Sequence, residues 1–434
     1  MPPSPPSGFK ILAACAILCA GLLPACKKSP GPAPSPNGPA APAERPGEGT
    51  GPRPVPAKER IPAPDGVRPG LRLTFYLMTG SLSGSVNGWV PDEEGNFRDA
   101  QGRLYSTERK GYSSHGLVQA TVVGGDENTI ALAEPFYLFN GNDPTPLLKS
   151  STDSLVAAEN GGDLWMHPRR QARILRENPW AGAPLPGRIM ARTMAWRDEA
   201  GRTYQATYIA EIGDASRATY VYDQASGYLL YLSRLTREAP AIRDHSQMLP
   251  DSVSYATFLS FRGARQLNLP WLGRPLPDSL RGAQAISYRG QFGLQGPGIA
   301  PTLLALAVDF QVSRAGSNWM WLRVRSQTKG SVLPEESNGV NGSGSLPPLA
   351  IPPDILAGLA VGQIIDRDPL TGFNVRVSKT DNQYVTLQTD GPLQTTTFVF
   401  EKAGGLLVRR VSQERMPATP RNVLVHDIQL AGIQ

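Results

Sequence analysis

Polar and apolar side chains alternate over several short stretches of this sequence, which is the pattern of β-strands with one buried face. Within residues 253–262, Val253, Tyr255 and Leu259 alternate with small or polar side chains. Similar stretches, rich in Thr, Tyr, Val and Phe, occur at 203–210, 219–223, 228–235, 319–325, 384–388 and 396–401. The pattern predicts a protein that is mainly β.

Glycines between neighbouring stretches predict tight turns. Gly227 lies between two of them and Gly404-Gly405 between two others, so each pair predicts an antiparallel hairpin. After residue 26, no segment keeps the period of an amphipathic helix for more than about three turns. We expect curved antiparallel sheets that carry one or two short helices, with a long loop over the Gly-, Ser- and Asn-rich residues 331–347.

The second half of the sequence repeats the first. Residues 219–230 align without gaps with 397–408, and five of the twelve positions are identical. An isolated match of this size carries little weight, but its neighbours recur in the same order, 164–168 with 349–353 and 253–262 with 421–430. An ordered internal repeat predicts duplicated structural units.

The repeat divides the folded region into two tandem homologous domains. We place the first β domain at residues 70–271 and the second at 282–434, with an inter-domain linker at 272–281. Each domain is expected to be a curved antiparallel sheet with one or two short helices, and the long loop lies in the second domain.

An uncharged apolar run occupies residues 11–23, directly after Lys10. Its thirteen residues would rise about 20 Å as a helix, less than the roughly 30 Å of hydrocarbon in a bilayer. That length is typical of a secretory signal. A single membrane-spanning anchor is the alternative, which Pro24 and the two lysines that follow disfavour. We predict a signal peptide over residues 1–25.

The motif that ends this run, Leu23-Pro24-Ala25-Cys26, resembles the lipobox of bacterial lipoproteins. The resemblance implies cleavage before Cys26 and attachment of acyl chains to it, which would bind the protein to a membrane. Lys27 stands where Asp favours inner-membrane retention in that family, which implies the outer membrane. Whether the folded part faces the periplasm or the cell exterior stays open. The other two cysteines lie in the predicted signal, so only Cys26 remains in the mature chain.

Residues 26–69 are predicted to be a disordered linker that starts at the lipid anchor. Positions 27–69 contain 13 prolines among 43 residues and no aromatic residue. Such a composition buries too little apolar surface to fold, and proline stiffens it toward an extended conformation. We interpret it as a spacer between the membrane and the folded domains.

The formal net charge of +6 is concentrated at the N-terminal end. About +2 remains for residues 70–434 once the predicted signal and linker are set aside. So small a charge gives no basic stripe for a phosphate backbone. We therefore expect no nucleic-acid partner.

Few residues offer catalytic or metal-binding chemistry. The four histidines are not spaced as metal-ligand pairs, and the P-loop, nucleophile-elbow and dinucleotide motifs are absent. The best local constellation is Asp163 with His167, which is either an acid–base pair, or half of a metal site, or a strand end that leads into a helix. The equivalent stretch 349–353 has neither Asp nor His, which favours the last. We predict no catalytic residue, cofactor or metal.

Three functions are compatible with this sequence. The favoured one is a lipid-anchored envelope protein with a structural or assembly partner. The second is binding of a lipid or other hydrophobic ligand in the concave face of a β domain. The lipobox and the strand pattern loosely resemble the LolA/LolB-like half-barrel lipoproteins, whose curved sheets hold apolar ligands, but no ligand-binding residue carries across. The least favoured is an enzyme that uses Asp163 and His167.

Overall fold

The computed structural model describes most of the chain after residue 60. The described residues are 61–83, 90–91, 97–98, 113–140, 143–182, 187–213, 216–238, 253–297, 299–331, 334–416 and 419–434. The predicted signal peptide, Cys26 and residues 27–60 of the predicted linker lie outside them. Residues 61–434 form one compact unit.

The prediction of a mainly β, antiparallel protein is confirmed. The first of its two large sheets has nine strands in the order β6-β5-β4-β1-β11-β10-β9-β8-β7. These strands are β1 (Leu71–Ser83), β4 (Ser113–Gly125), β5 (Thr129–Asn140), β6 (Asp143–Ala157), β7 (Arg188–Arg197), β8 (Thr203–Ile212), β9 (Ser216–Asp223), β10 (Leu229–Glu238) and β11 (Val253–Gln266). Two further short strands, β2 (Val90–Pro91) and β3 (Phe97–Arg98), pair with each other.

The second large sheet has ten strands in the order β15-β14-β13-β12-β21-β20-β19-β18-β17-β16. These strands are β12 (Ala285–Gly296), β13 (Ile299–Ala315), β14 (Trp319–Thr328), β15 (Glu335–Gly342), β16 (Ile364–Arg367), β17 (Asn374–Thr380), β18 (Tyr384–Asp390), β19 (Gln394–Glu401), β20 (Leu407–Met416) and β21 (Thr419–Ile433).

Both sheets follow one topology. The first strand of each half pairs with the last, β1 with β11 and β12 with β21, and the other strands follow outward on either side. Helix α1 (Pro168–Glu177) follows edge strand β6. The four-residue α2 (Asp278–Arg281) comes, along the chain, after the last strand of the first sheet and before the first strand of the second. Helix α3 (Pro353–Gly358) follows edge strand β15, at the position that α1 has in the first half.

The chain that leaves each edge strand crosses back over its sheet. Met166 donates its N–H to the carbonyl of Gly227, and Ile351 donates to the carbonyl of Gly405, both at 2.8 Å. The two glycines lie in the turns before β10 and β20, which are five strands away from the edges β6 and β15. A short segment reaches that far only if the sheet curls. Each sheet therefore has an inner and an outer face.

Inward-facing glycines permit this curvature. A Cβ on Gly116 of β4 would lie 1.9 Å from the carbonyl oxygen of Tyr137 on the neighbouring strand. A Cβ on Gly290 of β12 would lie 1.8 Å from the carbonyl oxygen of Asp427. Because only glycine fits so close to an adjacent backbone, these positions allow the strands to bend.

Each inner face carries its own hydrophobic core. In the first half the core includes Phe75, Trp165 and Tyr222, and in the second Tyr288 and Phe400; all five are essentially buried. Burial of an aromatic side chain of this size contributes about 2–3 kcal/mol relative to an exposed one. The cores fix the inner faces on which the candidate site lies.

The predicted boundaries need two corrections. The linker was placed over 26–69, but residues 61–69 belong to the compact unit because Val67 is buried in the first core. The inter-domain linker 272–281 is not a free connection either. It contains α2, and Leu276 and Leu280 are buried in the second core.

The predicted loop 331–347 also needs correction, because it contains β15. This strand pairs along its length with β14, although its sequence, EESNGVNG, is polar and glycine-rich. Its only strongly apolar side chain, Val340, is buried against the first half, and the Val340 N–H donates to Asp153 at 2.7 Å. The strand is therefore stabilised by contacts with the first half, and it lacks the alternating pattern from which it could have been predicted.

A buried ionic network joins the two halves. Arg265 of β11 binds Asp366 of β16 in a bidentate pair, with N–O distances of 2.6 and 2.8 Å. Arg72 of β1 contacts Asp368 at 3.1 Å, and the Gln119 amide donates to the same carboxylate oxygen at 2.6 Å. Burial alone would raise the pKa of Asp368, but the hydrogen bond from Gln119 and the charge of Arg72 hold it below its usual value.

An apolar contact lies next to this network. Val123 and Ala131 of the first sheet pack with Trp319 and Val340 of the second. A Cβ on Gly124 would lie 2.5 Å from the Trp319 Cβ, so the sheets approach as closely as a glycine permits. The first half thus packs against the outer face of the second sheet and leaves the inner face of that sheet free.

Candidate functional site

The structure gives His167 a local partner. His167 is the N-cap of α1, and its Nδ1 accepts the backbone N–H of Arg169 at 3.0 Å. Burial lowers its pKa, and the charge of Arg169 lowers it further. A side chain that holds a helix N-terminus in this way satisfies a backbone donor that would otherwise lack a partner.

Asp163 has a different partner. It ends a short 3₁₀ turn with φ at +79°, and its Oδ2 accepts a hydrogen bond from Nη2 of Arg234 at 2.8 Å. The same Nη2 donates to the Tyr220 hydroxyl at 3.0 Å. Among the described residues, Asp163 and His167 do not hydrogen-bond to each other. The two residues of the predicted constellation therefore have different partners, Arg234 for Asp163 and the backbone of Arg169 for His167.

The Asp163–Arg234 pair neutralises an inward-facing charge of the first sheet. Arg234 lies on β10 and pairs across the sheet with Ala218 and Thr257, on the face that carries Tyr220. Glu211 lies on the same face, and its pKa is raised by burial and by the charge of Asp163. The inner face of the first half therefore contains a cation whose counter-ion is supplied by the chain itself.

The inner face of the second sheet is built in layers by strand register. On β12, Tyr288, Gly290 and Phe292 face inward in succession, so each defines one level across the neighbouring strands. We name two of these levels. The arginine layer comprises Leu306, Gly290, Ile428, Arg410 and Phe398, and the open layer comprises Leu304, Phe292, His426, Ser412 and Thr396.

The open layer exposes apolar surface on the inner face. Leu304 is 37% exposed, and its cross-strand partner Phe292 is half-buried. The His426 ring lies 4.6 Å from the Phe292 ring, centroid to centroid. Burial lowers the pKa of His426, and the charge of Arg410 lowers it further, so the imidazole is neutral at pH 7. This layer thus presents aromatic and aliphatic groups, without a net charge, toward the concavity.

Hydroxyl groups complete the open layer and satisfy one another. The Thr396 and Ser412 hydroxyls are 3.1 Å apart, and the Gln394 amide donates to the Ser412 oxygen at 3.1 Å. Both hydroxyl residues are buried. A polar group buried without such partners would cost about 1–3 kcal/mol. The hydrogen bonds among these side chains avoid that cost without a ligand.

Arg410 lies one level deeper, between Phe398 and Ile428. Its guanidinium carbon is 5.7 Å from the centre of the Phe398 ring, which is within range of a cation–π contact. Loss of hydration lowers the pKa of Arg410, although the residue as a whole is exposed. The inner wall of a curved sheet explains both observations, because protein surrounds the side chain while water still reaches it.

Arg410 was not predicted from the sequence, although the repeat contains the signal. Continuing the ungapped alignment of 219–230 with 397–408 places Arg410 opposite Leu232. The structure gives the same equivalence, since Leu232 pairs with Tyr220 as Arg410 pairs with Phe398. A charged residue at a core leucine position of the other half would have marked this face.

The described part of the chain contains neither a candidate metal cluster nor a helix that could cross a membrane. Among the described residues, no cluster of three or more His, Cys, Asp or Glu side chains could hold a metal ion. The described helices are also too short or too polar to cross a membrane.

Comparison with known proteins gives little further information. No family model matches the chain, and no curated protein matches it. Among solved structures it is similar to a DUF3598-family protein of unknown function from Nostoc punctiforme, at 11% identity, over 82% of this chain and 95% of that one. The TM-score of 0.14 is too low for that likeness to bear on the fold or the function.

Proposed function

We propose that this protein is a membrane-anchored binding protein for a hydrophobic ligand. Acyl chains on Cys26 attach it to the membrane, and the inner face of the second sheet holds the ligand. The lipobox resemblance supports the anchor, and the proline-rich linker supports a spacer of the kind a tethered domain needs. An outer-membrane position follows from Lys27, by the same resemblance.

One observation carries the ligand site, namely the apolar surface left uncovered at the open layer. Leu304 and Phe292 are directly opposite each other on β13 and β12, and both remain accessible on a face whose deeper part is a closed core. A concave apolar face with a few polar groups is the usual form of a small-molecule site. Burying an apolar chain against it is favourable by about 25 cal/mol per Å².

The experiment compares two adjacent leucines with similar exposure and opposite orientation. Leu304 faces inward, whereas Leu303 faces outward and is 43% exposed. The full-length protein is purified from membranes, and lipid that remains bound without a covalent bond is quantified by mass spectrometry. We expect about one bound amphiphile per chain in the wild type, a loss of at least half in Leu304→Asp, and no change in Leu303→Asp.

Both variants place one carboxylate on an exposed strand position, so their purification background is the same. Equal amounts of bound lipid in the two variants would show that the inner face is not the site. A wild-type protein that retains no amphiphile above the level of Leu304→Asp would contradict the proposed function itself.

A second candidate, docking of a partner protein, is favoured by the edge of the second sheet. Strand β16 pairs with β17 on one side, and in the described residues its other side pairs with no strand. Val361 and Ile364, at this edge, are 60% and 55% exposed. Unpaired backbone groups next to apolar side chains can add a strand from a partner. In-cell crosslinking that loses one reproducible partner in Ile364→Asp, but keeps it in the outer-face variant Leu303→Asp, would support this candidate.

A further inference from the structure

Arg410 lacks a carboxylate partner within the described part of the chain. Its guanidinium lies over the Phe398 ring, and its electrostatic neighbours are Tyr288 and His426. The Tyr288 hydroxyl is already committed, because it donates to the carbonyl of Leu407 at 2.8 Å. Glu414, two inward positions further along β20, belongs to the level beyond the open layer.

The first half provides a comparison, because its inner face also carries an arginine. There the position equivalent to Arg410 is Leu232, which is buried in the core. The arginine of that face, Arg234, lies one level higher and is paired with Asp163 at 2.8 Å. The two halves therefore differ in one respect. The first supplies a counter-ion to Arg234 from its own chain, whereas the described residues of the second supply none to Arg410.

A cation on an apolar wall, without a counter-ion among the described residues, adds little to the stability of the folded protein. The surrounding protein removes part of the hydration of the Arg410 guanidinium, and no described carboxylate replaces it. A leucine at this position would pack as Leu232 does, at no such cost. Residues that break the local pattern of a core without a structural gain are the ones expected to serve function.

The charge balance of the site selects the kind of anion. Arg410 provides one positive charge, and His426 beside it is neutral at pH 7. A single guanidinium presents two parallel N–H donors that match the two oxygens of a carboxylate. A carboxylate is neutralised by one such group, whereas a phosphate dianion would keep an uncompensated charge next to Phe398 and Ile428.

We propose that Arg410 binds the carboxylate head group of a long-chain fatty acid whose alkyl chain extends along the open layer, past Phe292 and Leu304. This assignment rests on the proposed function and names its ligand class. The head group lies toward the closed end of the sheet, because the arginine layer is the deeper of the two. The chain then points toward the opening, where the apolar residues are exposed.

The test uses the full-length protein in its native membranes and two photoactivatable 16-carbon probes, a fatty acid and the matching alcohol. After irradiation, the labelled peptides of β13 and β21 are quantified by mass spectrometry. A charge-assisted bidentate contact is worth roughly tenfold or more in affinity. We therefore expect the acid to label wild type at least about tenfold more than the alcohol, and Arg410→Met to lower acid labelling to the level of the alcohol.

The neighbouring arginine provides the control. Arg409 faces outward on the same strand and is paired with Asp427 at 2.6 Å, so Arg409→Met is expected to label like wild type. Arg410→Lys, which retains the charge without the fork, is expected to give intermediate labelling and guards against misfolding of Arg410→Met. Circular dichroism of the purified variants checks that each is folded.

The outcomes separate the two proposals. Equal labelling of wild type and folded Arg410→Met by the acid would overturn the head-group assignment, while leaving the apolar site intact. A hexadecyl phosphate that displaces the acid probe more effectively than hexadecanoate does would likewise overturn the carboxylate assignment. Failure of both probes to label the inner face of wild type would instead refute the proposed function.

Discussion

Arg72 and Asp368 are nearly 300 positions apart in the chain, yet they form a buried ion pair at 3.1 Å between the two repeated halves. The Arg72 side chain is 10% exposed and that of Asp368 is 4% exposed. Such a pair contributes little net stability when intact, but it is costly to break because one charge stays buried. The halves are therefore coupled through groups that neither half could bury alone.

This coupling predicts the effect of Asp368→Asn. The variant keeps the side-chain oxygen that accepts the backbone N–H groups of Leu370 and Thr371, and removes the charge that faces Arg72. We expect the free energy of unfolding to fall by about 3 kcal/mol, the lower end of the range for a broken buried pair. Urea denaturation measures it.

An exposed pair of the same sheet is the matched control. Arg323 and Glu336 are 59% and 45% exposed, so Glu336→Gln is expected to change stability far less than Asp368→Asn does. Similar losses in the two variants would show that burial between the halves does not set the cost.

A buried carboxyl of the first sheet predicts a pH dependence of stability. The pKa of Glu134 is raised to about 7, mainly by burial; a hydrogen bond from Ser154 opposes this shift and the nearby charge of Asp153 adds to it. The unfolded chain ionises Glu134 near its ordinary value of 4.5. Between these two pH values the folded state holds the extra proton, so stability falls as pH rises from about 4.5 to about 7.

Glu134→Gln is expected to remove this contribution. The amide oxygen still accepts from Ser154, and no charge needs to be buried. The variant should be more stable than wild type at pH 8 by up to about 3 kcal/mol, with the difference vanishing as the pH approaches 4.5. Urea denaturation across this range measures it. Glu177→Gln, at an exposed position of α1, serves as the control, and a Glu134→Gln profile parallel to wild type would contradict the assignment.

The repeat in the sequence predicted a large part of the fold, because local patterning determines it. Tyr222 and Phe400 align in the sequence, and they occupy equivalent positions, opposite Leu229 and Leu407. Alternation and turn glycines fix such hairpins over a few residues. Strand β15 escaped prediction because contacts with the other half, rather than its own alternation, stabilise it.

Residues that act through partners in the other half could not be identified from the sequence. Nothing local distinguishes Asp366 and Asp368 from loop carboxylates, because their partners lie in the other half. Arg410 follows Arg409, in a stretch whose composition is typical of a solvent-exposed strand. Its inward direction depends on a register shift beside Phe400, which only the paired strands reveal. The site therefore had to be found from the structure.

The anchor remains a prediction from the lipobox resemblance, and a cysteine variant tests it. Cys26→Ala removes the only site at which the mature chain could carry the thioether-linked acyl chains, so the protein is expected to leave the outer-membrane fraction. Two or three acyl chains suffice for stable anchoring. Cell fractionation with immunodetection measures it.

The other two cysteines provide the control. Cys15→Ala and Cys19→Ala change the predicted signal peptide without touching the lipobox residues, so both variants are expected to fractionate like wild type. Retention of Cys26→Ala in that fraction to the same extent would show that another part of the chain anchors the protein.

The structure predicts that His167 acts as a helix cap, and two variants distinguish this from a chemical role. His167→Ala leaves the Arg169 N–H without its partner, so the free energy of unfolding is expected to fall by about 1 kcal/mol. His167→Asn is expected to retain most of the stability, because asparagine is among the best N-cap residues. Thermal and urea denaturation measure both. A His167→Asn variant as unstable as His167→Ala would contradict the capping role, since the asparagine oxygen replaces the acceptor but not the acid–base chemistry of imidazole.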